Sequence, residues 1–264
     1  MTCHGDPVPH DRDYPAMSDH KEGFEPSPRR VRGYLAGRLV FDTVDATYVW
    51  ESPRYPQYYV PVADIDLAVL VDEGHTQRLR RGTADRHGLR VGDVTRPGAL
   101  RIYHEDAADG IAGRARFEWD ALDEWFEEDE QIFVHPRNPY TRVDAVRSTR
   151  HVKIELGGAV LAESTSTVMI FETGLPTRYY FDRAGIDFRH LRPTDTQSAC
   201  PYKGNTSGYW SADIAGTTVE DVAWTYQFPT KDLLPIAGLV AFLNERVDVS
   251  VDGRALPRPT TPFS

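Results

Sequence analysis

Cysteine is nearly missing from this chain. Cys3 and Cys200 are the two among 264 residues, too few for a disulfide framework or a paired-cysteine zinc site. Nine histidines are scattered without a close His-x-His pair, so no metal is expected. Long apolar runs are lacking too: none approaches the ~20 residues of a membrane span, and no charged-then-apolar leader opens the chain. These absences predict a soluble, cytoplasmic protein that does not engage a membrane. Positive charge is in deficit, with 30 Lys and Arg against 40 Asp and Glu and a net charge of −10, which opposes general binding to nucleic-acid phosphates. No cofactor is expected, and no complete catalytic motif occurs, so the residues leave open whether the protein is an enzyme.

What is present is a repeat. Val31 to Asp66 matches Val152 to Asp187 without a gap at an offset of 121, with Gly37 and Gly158, Glu51 and Glu172, Tyr58 and Tyr179, Tyr59 and Tyr180, and Asp66 and Asp187 identical. Self-similarity of this kind reads as two copies of one unit. At about 120 residues each copy is long enough to bury its own core. Arg142-Val143-Asp144 and Arg246-Val247-Asp248, 104 apart, look like the matching ends of the copies, which predicts extra loop in the middle of the first. Residues 1–28, rich in Pro, His, Asp and Ser, read as a disordered tail. Residues 29–150 then form a diverged first unit with a connecting loop, and residues 151–264 the second unit.

Inside the copies the pattern is of short strands. Val152, Ile154 and Leu156 alternate up to a Gly157-Gly158 turn, Val160 to Ser164 return, Val168 to Thr173 are more continuously apolar, and Val247, Val249 and Val251 alternate to Asp252-Gly253. Period-two apolar runs punctuated by Gly and Asp pairs are the signature of hairpins. The fold class is therefore mainly β, two similar units with few short helices. The clearest helical signals are Asp120 as a cap before Leu122, Trp125 and Phe126, and a short stretch from Ile236 to Phe242.

Three boxes in the second copy carry a resemblance: Glu172-Thr173-Gly174-Leu175-Pro176-Thr177-Arg178-Tyr179-Tyr180, Cys200-Pro201-Tyr202-Lys203-Gly204, and Trp224-Thr225-Tyr226. With them the chain resembles the bacterial domain of unknown function DUF427, nearly end to end from Val152 to about Asp252. The first copy is similar to the family but diverged, and has no counterpart of the Cys-Pro-Tyr-Lys-Gly box. The stretch Phe133 to Arg142 is characteristic of the tandem form. The resemblance implies compact all-β units of the β-tent kind and a family without an established activity. A nucleotidyltransferase label attached to the family can be tested on Asp64-Ile65-Asp66, an Asp-x-Asp able to hold a metal ion and a triphosphate. No Gly-Ser helix start precedes it, and the aligned residues are Gly185 and Asp187; a surface turn accounts for it.

Candidate chemistry gathers in the second copy. Cys200 could be a nucleophile, since Lys203 three residues on would lower a thiol pKa and the amides of the following turn could serve as oxyanion donors. Only His190 is a nearby imidazole, and a small buried hydrophobe is the competing account of the cysteine. The box also reads as a shaped turn in which Pro201 and Gly204 aim Tyr202 and Lys203 outward. Trp210 and Tyr209 are either pocket walls or strand core. Of Tyr179 and Tyr180, one should be core and the other should reach a sheet face. Arg178 would suit a carboxylate or phosphate, and Glu172, like Glu51, should pair with a cation. His135, Arg137, Asn138, Tyr140 and Arg142 lie on a rigid polar segment, either a stiff linker or a lid over a cleft between the units. The leading expectation is a small-molecule-binding protein taking an anionic or carbonyl-bearing ligand at the second unit and the inter-unit cleft. The alternatives are a Cys200-dependent enzyme with Lys203 as activator, and a structural or protein-interaction scaffold.

Overall fold

The computed structural model describes residues 23–51, 54–108, 110–261 and 263–264. The tail expected over residues 1–28 lies outside them as far as residue 22. Its last part is not tail, because Phe24–Pro26 forms a strand antiparallel to Thr47–Val49. No helix among the described residues is long and apolar enough to cross a membrane.

The chain divides into two units, the first ending at Asn138 and the second beginning at Pro139. In the first, a seven-stranded sheet runs Phe24–Pro26, Thr47–Val49, Gln57–Pro61, Arg114–Phe117, Val94–Tyr103, Gly82–Val91, Leu70–Leu79, and a four-stranded sheet runs Glu130–Ile132, Glu124–Glu127, Val31–Leu35, Arg38–Thr43. In the second, the corresponding orders are Val143–Ser148, Thr167–Glu172, Arg178–Phe181, Val240–Phe242, Thr217–Thr225, Gly208–Ile214, Leu191–Thr194, and Arg254–Leu256, Asp248–Val251, Val152–Leu156, Ala159–Ser164. The two topologies are the same, and all these pairings are antiparallel. The protein is thus mainly β, as expected, with two similar halves. The second unit adds a two-stranded ribbon, Ala199–Cys200 with Gly204–Asn205.

Local sequence explains the strands. Val31–Leu35 and Val152–Leu156 share one burial alternation, with residues one, three and five inside, as period-two patterning against a core requires. The turns that follow, Ala36-Gly37 and Gly157-Gly158, have positive φ at both positions (49° and 74°, 55° and 83°), the geometry that matches the twist of a two-residue hairpin. In each unit one bridge ties the sheets together, Phe41 to Ile65 and Ala162 to Ile186, again 121 apart. Between the sheets lies the main core, with Tyr48, Tyr58, Phe117 and Trp125 among the first unit's large members and Tyr179, Phe181, Trp210 and Phe242 among the second's.

The middle strands of the large sheets are covered on their other face as well. Val49, Tyr59, Ala84, Tyr103 and Ile111 cluster there in the first unit, and Val168, Ile170, Tyr180, Tyr226, Leu233 and Ile236 in the second. Both tyrosines of each Tyr-Tyr pair are consequently buried, at 6% exposure or less, and neither reaches an open sheet face.

Three sequence expectations change. Residues Asp120 to Phe126 are not a helix: Trp119–Ala121 is a single 3-10 turn and Glu124–Glu127 is a strand paired with Val31–Leu35, because burial of Trp125 and Glu127 with Phe126 facing outward follows period two. Ile236 ends a 3-10 segment, Lys231–Ile236, while Val240–Phe242 is a central strand, its three residues all buried between layers. The second unit starts earlier than residue 151, since Val143–Ser148 pairs with Thr167–Glu172. That strand is the counterpart of Phe24–Pro26, so Arg142-Val143-Asp144 does not match Arg246-Val247-Asp248. By strand register Phe117 corresponds to Phe242, an offset of 125, so the copies differ by only a few residues.

Close packing of the core side chains over the four-stranded sheet makes Gly33 a sensitive position. A Cβ there would lie 2.4 Å from Phe41 Cε1 and 2.6 Å from Leu122 Cδ1, and overpacking of this kind costs about 1–3 kcal/mol. Gly33→Ala is expected to lower the unfolding free energy of the first unit by that amount in urea, seen as a lower midpoint. An unchanged midpoint would show that Phe41 and Leu122 do not pack this closely over Gly33.

Candidate functional site

The Cys200 to Gly204 box is held as a tight turn. Cys200 pairs with Gly204, Thr230 donates its N–H to Lys203 O at 3.1 Å and its hydroxyl to Tyr202 O at 2.6 Å. Gly204 has φ +93°, while the nearest atom to an added Cβ is Phe228 O at 3.5 Å, so backbone conformation rather than space asks for glycine here.

The turn points Lys203 inward, contrary to the expectation that it and Tyr202 face out together. Its side chain is 9% exposed, ion-paired with the equally buried Glu172, and its Nζ donates to Cys200 Sγ at 3.7 Å. Burial opposes the ammonium, but Cys200, Glu172 and Tyr180 outweigh it and hold the Lys203 pKa above the ordinary lysine value. Lys203 therefore stays cationic across the physiological range. Glu172 has the cationic partner foreseen for it. Glu51, its counterpart, accepts from Tyr59 OH at 2.7 Å and pairs with Arg116 at 3.1 Å.

Tyr180 leads from this cluster into a row of aromatic side chains on one sheet face. Cross-strand register places Tyr180 opposite Ala241, Ala241 opposite Trp224, and Trp224 opposite Tyr209, and directly paired residues share a face. Trp224 Nε1 donates to Tyr180 OH at 3.2 Å, and Tyr209 OH meets Ser198 Oγ at 2.6 Å. Burial pushes the Tyr180 phenol up to about 12, against the pull of Lys203 and the Trp224 N–H. Burial likewise raises Tyr226, two residues beyond Trp224, with Tyr180 and Cys200 adding to it. Both phenols remain O–H donors at neutral pH. Sequence reasoning offers Tyr209 as a pocket wall but misses Trp224, Tyr226 and Ser198; the signal available for the first two is the Trp-Thr-Tyr box and its period of two.

The same row in the first unit is Tyr59, Arg116, Arg101, Arg86. Each of these arginines is matched by an acid: Arg116 by Glu51 and Glu118, Arg101 by Glu118, Arg86 by Glu73. The units thus keep a sheet and exchange its surface, aromatic rings in one and an ion-pair ladder in the other.

The other predicted residues lie elsewhere. Arg178 is 7% exposed and forms a two-pronged pair with Glu245, Nη1 to Oε2 at 2.6 Å and Nη2 to Oε1 at 2.7 Å, and its guanidinium lies 5.9 Å from the Trp224 ring centre. Its fork is therefore occupied by the protein itself. Trp210 faces the opposite side of its strand from Tyr209, packing edge-on against Phe188 at 5.8 Å with Arg183 over its ring. Tyr179 is in the core between the sheets. His135 stacks on Tyr55 at 3.8 Å, Arg137 pairs with Glu130, and Asn138, 4% exposed, donates to Arg54 O. These three are fastened within the first unit, whereas Cys200 belongs to the second. Tyr140 is exposed, and Arg142 donates its N–H to Thr173 Oγ1, accepts from the Thr173 N–H and pairs with Asp144. Of the imidazoles of the second unit, His190 lies 3.9 Å from Asp187 and His151 is 2.7 Å from Glu163. Cys200 Sγ instead accepts from Lys203 Nζ.

Asp66 and Asp187 have structural tasks. Each caps a 3-10 turn and binds an arginine, Arg38 or Arg189, as a surface turn would have it. Among the described residues no three of His, Cys, Asp and Glu cluster as a metal set. Cys200 lines neither of two clefts: one of about 590 Å³ in the first unit, lined by Tyr55, Gln57, Arg116, Glu118, Trp119, Asp120 and Val134, and a shallower one of about 390 Å³ in the second, between Val160–Glu163 and Ala184–Asp187.

One family, described as a domain of unknown function (DUF427), matches residues 23–128 and again 144–253. No curated protein matches the chain.

The Arg178–Glu245 pair generates a prediction. Burial raises the Glu245 carboxyl, but Arg178 and the Thr261 hydroxyl overcome this and hold its pKa below the ordinary value. A depressed carboxylate contributes stability that is complete above its unfolded value, ~4.3, and lost as pH falls through the lower folded value. Glu245→Ala, which strands a buried guanidinium, is expected to cost about 3–5 kcal/mol at pH 7 by chemical denaturation. The loss should shrink in acid; a loss that does not depend on pH would show that the pair is not ionised.

Proposed function

The chain belongs to the DUF427 family as a tandem protein, and on that premise we propose that its second unit binds a small carbonyl-bearing molecule against the partly exposed rings of Trp224 and Tyr209, beside the partly exposed Cys200 and backed by the buried Tyr180 and Lys203. The observation that carries this reading is the buried ammonium of Lys203, held between Glu172 and Cys200 at the end of an aromatic row that the first unit lacks. Rings supply area, and a few convergent donors supply orientation, which is the usual division of labour in small-molecule sites. Lys203 brings three N–H donors, of which Glu172 and Cys200 engage two, and Tyr180 and Tyr226 bring neutral hydroxyls. Because Glu172 already neutralises the ammonium, a neutral acceptor such as a ketone, amide or lactam oxygen suits the site better than an anion, which would compete with that carboxylate. Arg178, satisfied by Glu245, serves to seat the strand rather than to meet the ligand.

A second reading rests on the 3.7 Å contact between Lys203 Nζ and a partly exposed Cys200. It makes Cys200 a nucleophile toward the same carbonyl, with the ammonium favouring the thiolate. Either reading places the protein in the reducing cytoplasm, where the thiol stays free.

The test is a thermal-shift screen of ketones, amides and lactams against the full chain and against the double variant Lys203→Met, Glu172→Leu. Removing both charges together leaves no unpaired ion, so the fold is expected to persist. Hits on the native chain should lose at least tenfold in affinity, about 1.4 kcal/mol, in the variant. Equal binding by both would move the site away from Lys203. Iodoacetamide labelling of Cys200, read by peptide mass, separates the two readings: labelling that slows in the double variant and is blocked by a hit supports the nucleophile, and an inert Cys200 leaves binding alone.

A further inference from the structure

The units differ where the large sheet meets the turn that follows Phe117 or Phe242. Register aligns Gln57 with Arg178, since Tyr59 pairs with Arg116 as Tyr180 pairs with Ala241. It also aligns Asp120 with Glu245, since Glu118 N–H bonds Ala99 O and Leu243 N–H bonds Val222 O, each at 2.8 Å. In the second unit this place is filled from within by the two-pronged Arg178–Glu245 pair. In the first unit the Gln57 and Asp120 side chains form no hydrogen bond with each other or with any other described residue, and the place is the open cleft of about 590 Å³.

The cleft is built rather than incidental. Trp119 and Tyr55 line it, and each is braced from one side, Trp119 by Trp125 in a parallel stack at 4.6 Å and Tyr55 by His135 at 3.8 Å. The Trp119 indole N–H has no hydrogen-bond partner among the described residues. At the rim Val134 has φ +71° while His135 N–H bonds Phe133 O at 2.8 Å, a γ-turn of positive φ centred on a β-branched residue. That conformation is rare and strained, and persists only where its surroundings over-determine it. The charges are unbalanced in one direction. Arg116 is taken by Glu51 and Glu118, and Glu118 is shared with Arg101, which leaves Asp120 as a carboxylate without a cation.

We propose that this cleft binds an organic cation, a guanidinium or primary ammonium on an apolar arm, with its charge on Asp120 and its arm against Trp119 and Tyr55. The ligand would supply from solution what Arg178 supplies within the second unit. Aromatic faces favour such a cation in addition to the carboxylate, the Gln57 amide offers an acceptor for a remaining N–H, and an anion would be repelled by Asp120 and Glu118.

Calorimetric titration of the full chain tests this with three probes: agmatine, a blocked arginine amide, and N-butylurea as a neutral mimic of similar shape. Agmatine is expected to bind at least tenfold tighter than N-butylurea. Asp120→Asn, at an exposed residue without partners, should fold normally and lose at least tenfold in agmatine affinity. Gln57→Arg should rebuild the internal pair, abolish binding and raise the melting temperature of the first unit. A blocked amide that binds as well as agmatine identifies a peptide arginine as the source, and one that binds worse identifies a free amine. No agmatine binding, equal binding of N-butylurea, or unchanged affinity in both variants would overturn the proposal, and none of these outcomes bears on the second unit's site.

Discussion

Burial of the large sheet on both faces is the constraint from which the rest follows. A strand such as Arg178–Phe181, buried at all four residues, has no solvent face on which to leave a polar group, and an unpaired charge there would cost several kcal/mol. The charged and aromatic polar side chains on these strands therefore bring their partners inside. Arg178 finds Glu245, Tyr180 finds the Trp224 N–H, Lys203 finds Glu172, and in the first unit Tyr59 finds Glu51. The polar network of each unit is in this sense a by-product of a sheet that is covered twice.

That requirement makes the two units informative about each other. One backbone topology carries two solutions on the same sheet row: arginines matched by acids in the first unit, rings ending at a buried lysine in the second. Ala241, Trp224 and Tyr209 stand in the second unit where Arg116, Arg101 and Arg86 stand in the first. The first unit lacks the turn that delivers Lys203, so its Glu51 takes an arginine from the neighbouring strand instead. The second unit fills the position of Gln57 and Asp120 with an internal ion pair, and the first leaves it open. Divergence after duplication has acted on what covers the sheet and has left the strand order alone.

The chemistry available at Cys200 is set by this burial as well. Its thiol is partly exposed while its neighbour Lys203 is almost wholly enclosed and held in place by Glu172. The phenols of Tyr180 and Tyr226, kept neutral by burial, extend the donor set without adding charge.

The sequence by itself determined the repeat, the mainly β class, the hairpin turn at Gly157-Gly158, and the cationic partnership of Glu172, because these rest on period-two patterning, on positive-φ turn chemistry and on a charge kept at the same place in both copies. Tertiary structure alone decided which side chains meet. Helical spacing of Leu122, Trp125 and Phe126 yielded to a strand once Val31–Leu35 offered it a partner, and propensity is weak against pairing that buries a core face. Arg178 looked like a ligand residue because nothing local reveals Glu245, 67 residues on, and Lys203 looked exposed because the acid that draws it inward is 31 residues back. Contacts across such separations are fixed by the order and register of strands, which no local window of sequence contains.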